Sequence, residues 1–136
     1  MSEPVDTATL PTVCEHGLTL GPAVGEPGRV RLAGCGETAG VEVLHRFLGS
    51  LHEFALELSL RHVVVDLEAL TFINSSCLKA LVAWIYKVDT TGRPYQIELV
   101  RNLGMHWQKG SVDTLKRLAP DVVRVTDRPA REPATR

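Results

Sequence analysis

The feature that most constrains this chain is a junction in its middle. His62-Val63-Val64-Val65-Asp66-Leu67 is β-branched and apolar without alternation, the pattern of a strand covered on both faces. A few residues later the period changes to that of a helix. Leu78, Leu81, Val82, Ile85 and Val88 recur at spacings of three and four, while Lys79, Ala83 and Lys87 share the opposite side. Between the two periods lies Leu70-Thr71-Phe72-Ile73-Asn74-Ser75-Ser76-Cys77, so Asn74 is the natural N-cap and Ser75 and Ser76 open the helix.

The flanking segments extend this alternation. Leu18 to Val24 and Arg29 to Leu32 read as two strands joined by Gly25-Glu26-Pro27-Gly28, an N-terminal antiparallel hairpin. Leu44, Phe47, Leu48, Leu51, Phe54, Ala55 and Leu58 mark one face of a long helix that begins near Gly40 and ends before Arg61. After Gly92-Arg93-Pro94, Tyr95 to Val100 alternates as a strand. Val112, Leu115 and Leu118 then line a shorter helix stopped by Pro120, and Val122 to Val125 supplies a last strand. Strands linked through helices favour parallel neighbours with right-handed crossovers. The expected fold is therefore α/β: a mixed sheet carrying an antiparallel hairpin and three helices. Residues 1–14 and 128–136, rich in Pro, Thr and charge, are expected to be flexible and to flank a single domain over 15–127.

At 136 residues and 44% hydrophobic, one domain of this kind buries a core without metals or disulfides. A net charge of −1 gives no global field for nucleic acid or anionic membrane, so partner recognition has to be local. No apolar stretch reaches the roughly 20 residues that span a bilayer. Met1-Ser2-Glu3-Pro4 lacks the start of a signal peptide, and the expected location is the cytoplasm. Cys14, Cys35 and Cys77 read as reduced thiols, with Cys77 in the one setting, a helix start, that can activate a thiol. His16, His45, His52 and His62 lack accompanying acids at ligand spacing, so no metal and no other cofactor is expected. Gly34-Cys35-Gly36 lacks the Gly-Lys-Ser/Thr of a phosphate loop, which argues against a nucleotide site.

The chemistry concentrates at Ser75. A helix start leaves about four backbone N–H groups unpaired and carries roughly half a positive charge, so an anion there is stabilised. Phosphorylation of a serine adds about −1.5 to −2 charges, enough to change what a surface binds without refolding the domain.

The run V-V-V-D-L-x-x-L-T-F-I-N-S-S-C-L-x-A-L resembles the signature of the anti-sigma-factor antagonists, the STAS domain family, and the likeness spans most of the chain. The resemblance implies a single STAS-like domain in bacterial signal transduction and transcription regulation. It also implies a phosphoprotein whose first serine after the strand, Ser75 here, is the phosphorylation site. The partners it implies are an anti-sigma factor that is also a serine kinase, and a serine phosphatase. Asn74 stands where the family usually has Asp, and Cys77 where it usually has Gly.

The switch loop and partner-binding surface are therefore expected at Asn74, Ser76, Cys77 and Lys79, with Ser76 a structural hydroxyl. Asp66 inside an apolar strand needs a partner or an exposed end, a structural role; the resemblance also implies an acidic position there that helps shape the switch loop or a partner contact. His106 and Trp107, between Gly104 and Gly110, read as a loop that presents a recognition patch beside Ser75. Three functions compete. The leading one is a non-catalytic phospho-switch whose unphosphorylated form binds the kinase and is released by phosphate on Ser75. The second is a STAS-like scaffold or sensory module that assembles with itself, as a homodimer, or with a larger complex without modification. The third is an enzyme using Cys77 or Ser75 as nucleophile with His106 as base.

Overall fold

Crossovers of constant hand account for the architecture. The computed structural model describes residues 10–25 and 27–128. In chain order these form β1 (Val13–Glu15), β2 (Leu18–Pro22), β3 (Arg29–Gly36), a 3-10 turn (Thr38–Gly40), α1 (Val41–Glu57), β4 (His62–Asp66) and β5 (Leu70–Ile73). Then come α2 (Ser75–Thr90), β6 (Gln96–Asn102), α3 (His106–Leu118) and β7 (Val123–Arg128). The sheet runs β1-β2-β3-β4-β6-β7, with β5 also paired to β3. β1, β2 and β3 are antiparallel; every other pair is parallel. Because β3, β4, β6 and β7 advance across the sheet in one direction, right-handed connections place the helices on one face.

One core results. Leu18, Leu20, Val30, Leu32, Val63, Val65, Ile97, Leu99 and Val123 face Leu44, Phe47, Leu51, Leu81, Ile85, Val88, Val112 and Leu115. The opposite face of the sheet carries polar side chains in register, among them Arg31 beside Asp66 and Glu98 beside Arg124. This corrects the expectation that β4 is covered on both faces: Val63 and Val65 are sealed, while Val64 is only half-buried and His62 is exposed. Asp66 is stabilised by Arg31 at 3.4 Å and accepts the Glu68 backbone N–H at 2.9 Å, so it shapes the turn between β4 and β5.

β3 changes partner along its length. Residues 29–31 pair with β4 and residues 34–36 with β5, with a bulge between Gly34 and Cys35. Gly34 has φ +100°, and a Cβ there would lie 2.1 Å from the Gly17 carbonyl oxygen, so no other residue fits without moving the hairpin. The Gly34-Cys35-Gly36 run is thus a pairing switch.

The hairpin, α1, α2 and β6 fall where the sequence predicts, to within a few residues. Two short strands do not: β1 lies partly within the segment 1–14 expected to be flexible, and β5 is separate from β4. Leu10, also in that segment, is buried against the core. Residues 1–9 and 129–136 lie outside the described residues, and β7 extends through Arg128.

Candidate functional site

Asn74 organises the junction. Its φ and ψ of −83° and 177° are extended, and its side-chain Oδ1 accepts the Cys77 backbone N–H at 2.9 Å, the N-cap bond that the residue type foretells. Its Nδ2 donates to Thr38 Oγ1 at 3.3 Å, and its own N–H donates to the Gly36 carbonyl at 2.9 Å. One amide therefore ties the end of β5 to the β3–α1 loop and closes the first turn of α2. Asp at this position has no N–H to give Thr38.

Ser75 and Ser76 are both exposed at the start of α2. Lys79, one turn beyond Ser75, is exposed and makes no ion pair among the described residues. At helical spacing from these lie Ala83 and Tyr86, also exposed, so Ser75, Lys79, Ala83 and Tyr86 form one open stripe along the helix. Tyr86 is 66% exposed. Sequence reading passed over it, although its position seven residues after Lys79 places it on the same face. Half-exposed Phe72, just before the junction, is a further large apolar side chain near the start of the helix, about three turns away from Tyr86.

Cys77 points inward. It is fully buried, its Sγ donates to the Glu37 carbonyl oxygen at 3.4 Å, and burial pushes its thiol pKa up despite the cap bond from Asn74. The lowering that a helix start exerts on an exposed thiol is outweighed by desolvation. Gly36 makes room for it: a Cβ there would sit 3.2 Å from the Cys77 sulfur and 2.9 Å from Ile73 Cγ2. Cys77 is thus removed from the partner-binding surface on which sequence reading placed it, and its role is to fill the space under the loop.

His106 and Trp107 are not in a loop. They form the first turn of α3, with His106 exposed and Trp107 half-buried. Trp107 Nε1 donates to the Leu70 carbonyl at 3.1 Å, at the start of β5 rather than at Ser75. Beside it, fully buried Gln108 donates from Nε2 to the carbonyls of Leu67 and Leu70, at 2.8 and 3.0 Å, and accepts the Asn102 N–H at 2.8 Å. These bonds fasten α3 to the β4–β5 turn. No hydrogen bond among the described residues joins His106 to Ser75 or Cys77. Among the described residues no group of three or more His, Cys, Asp and Glu is placed to hold a metal ion, and no helix is long and apolar enough to cross a membrane.

No family model matches the chain, and no curated protein matches it. Among solved structures it is similar to SiaC in the crystal structure of the diguanylate cyclase SiaD in complex with its activator SiaC from Pseudomonas aeruginosa. The TM-score is 0.62 at 13% sequence identity, covering 86% of this chain and 98% of that one. The likeness establishes the fold: a single STAS-like α/β domain with a mixed sheet, an N-terminal antiparallel hairpin and three helices.

Proposed function

We propose that this protein is a non-catalytic regulator that docks a protein partner on the exposed stripe of α2 and is switched by phosphorylation of Ser75. The observation that carries the reading is the exposure of Ser75 at the capped start of a helix, one turn from a lysine that has no ion-pair partner among the described residues. Unphosphorylated, the stripe offers an apolar and aromatic surface through Ala83 and Tyr86, and a cation through Lys79. A phosphate on Ser75 acts twice. It is stabilised by the helix start and by Lys79 at i+4, which takes the cation away from the partner. It also adds a double negative charge that the partner has to desolvate. A clash of that kind costs several kcal/mol, and about 1.4 kcal/mol already changes affinity tenfold.

The fold likeness to the activator of a diguanylate cyclase supports a role in binding a protein partner. The resemblance of the junction to anti-sigma-factor antagonists supports a partner that is both anti-sigma factor and serine kinase, with a serine phosphatase to reset the switch. The second reading, a scaffold that binds without modification, is favoured by Asn74, which lacks the carboxylate usual before the family's phosphorylated serine. Affinity purification from the native cell with and without phosphatase treatment, followed by phosphosite mapping, separates the two. Phosphate on Ser75 and capture that increases after phosphatase support the switch. Capture that ignores phosphatase, with Ser75 unmodified, supports the scaffold.

A further inference from the structure

A second feature of α2 lies beside the exposed stripe, where the helix packs on α1. His45, Gly49 and His52 at one helical stripe face Ala80, Ala83 and Lys87 at another, and between them is a partly open cavity of about 130 Å³. That exceeds several-fold the roughly 30 Å³ share of one liquid water. The small side chains at 49, 80 and 83 create the space; a Cβ on Gly49 would meet nothing within 4 Å.

The lining of the cavity includes a donor that has no partner among the described residues. His52 is only 5% exposed, and its Nδ1 lies 2.6 Å from the hydroxyl of Tyr95, itself 2% exposed. Trp84 Nε1 donates to that same hydroxyl at 3.0 Å. Indole only donates, so the hydroxyl accepts from Trp84 and has its one proton left to give. His52 Nδ1 is the acceptor within reach, which leaves the proton of a neutral imidazole on Nε2. That N–H has no partner among the described residues, and His52 lines the cavity. Lys87 also lines it and makes no ion pair among the described residues. The buried N–H belongs to a residue that shares this small space with exposed Lys87; His45 is the other polar side chain there, and Leu48, Ala80, Ala83 and Trp84 are apolar.

The geometry points to a binding site for a carboxylate group between α1 and α2, held by His52 Nε2–H and Lys87. One cation and one neutral donor match a single negative charge, whereas a doubly charged phosphate would be left half-neutralised. The group is either a small free carboxylate or the acidic side chain of a docked protein. The site shares Ala83 with the exposed stripe of α2 but does not depend on phosphorylation of Ser75.

The test is long-range proton–nitrogen NMR of protein labelled with nitrogen-15 histidine at pH 7. Sodium acetate and N-acetyl-glutamate N-methylamide are the probes, with sodium chloride and the matching glutamine amide as controls. The expected result is a saturable shift of His52 Nε2 with Nδ1 unprotonated, weakened about tenfold in Lys87→Met and abolished in Gly49→Leu, which fills the cavity from an exposed helix position. Saturation by acetate alone identifies a free carboxylate; saturation by both identifies a site that also takes a side chain. Shifts that stay linear, match the controls or persist unchanged in both variants would overturn the proposal, as would a proton found on Nδ1.

Discussion

Asn74 donates from its side-chain amide to the hydroxyl of Thr38 at 3.3 Å, a contact spanning 36 residues, and so couples the loop before α1 to the start of α2. The same side chain caps the helix that Ser75 opens. The two contacts separate when the residue is changed.

Asn74→Ala loses both and is expected to cost about 1 kcal/mol. Asn74→Asp keeps the cap and lets the Thr38 hydroxyl turn to become the donor, so its cost is expected to be under about half of that. Urea denaturation of the two variants checks the order, and equal losses would show that the cap contributes nothing.

Thiol labelling separates the three cysteines. Cys14 is exposed, Cys35 half-buried and Cys77 buried with its thiol pKa raised by desolvation. Iodoacetamide followed by mass spectrometry is expected to modify Cys14 first and to leave Cys77 unreacted until denaturant is added. Modification of native Cys77 at the rate of Cys14 would show the loop to be open.

The Tyr95 hydroxyl serves Trp84 and His52 at once, and burial pushes its own pKa up to about 12. Tyr95→Phe strands both partners and is expected to cost about 2 kcal/mol. His52 has its pKa lowered, first by burial and then by Lys87, with Glu53 opposing. A depressed histidine pKa means that the fold favours the neutral ring. Its contribution is complete above the ordinary value of about 6.5 and is lost as pH falls through the lower folded value. Urea midpoints are therefore expected to fall on acidification below about pH 6.5, with a shallower acid limb in His52→Asn. Identical limbs would remove His52 as the cause.

Gln108 holds three backbone groups in a fully buried site. Gln108→Leu leaves the Asn102 N–H unpaired and takes one of two donors from each of the Leu67 and Leu70 carbonyls, which keep the Leu70 N–H and Trp107 Nε1. It is expected to cost about 2 kcal/mol, read from the shift in urea midpoint. A loss below about 0.5 kcal/mol would mean that α3 is not fastened through this residue.

These residues also mark what was legible in the sequence. The α2 boundary and its Asn74 cap follow from local rules, a change of hydrophobic period and a side chain fit to accept an N–H, and both are where they were expected. β5 was hidden because Leu67-Glu68-Ala69 carries no turn signature; the break comes from Asp66 accepting Glu68 N–H and from β3 changing partner at Gly34. The first turns of α3 were hidden because Gly104 and Gly110 read as loop residues, glycine costing about 1 kcal/mol in a helix. Contacts of Trp107 and Gln108 to carbonyls nearly forty residues away override that preference. The pairing of His52 with Tyr95 spans 43 residues and has no sequence signal at all.

The central claim concerns Ser75 alone, and partner affinity across a short allelic series tests it most directly. With the protein captured from the native cell as ligand in isothermal titration, Ser75→Ala is expected to bind as the wild type does and Ser75→Asp at least tenfold more weakly. Equal affinities for wild type, Ser75→Ala and Ser75→Asp would contradict it.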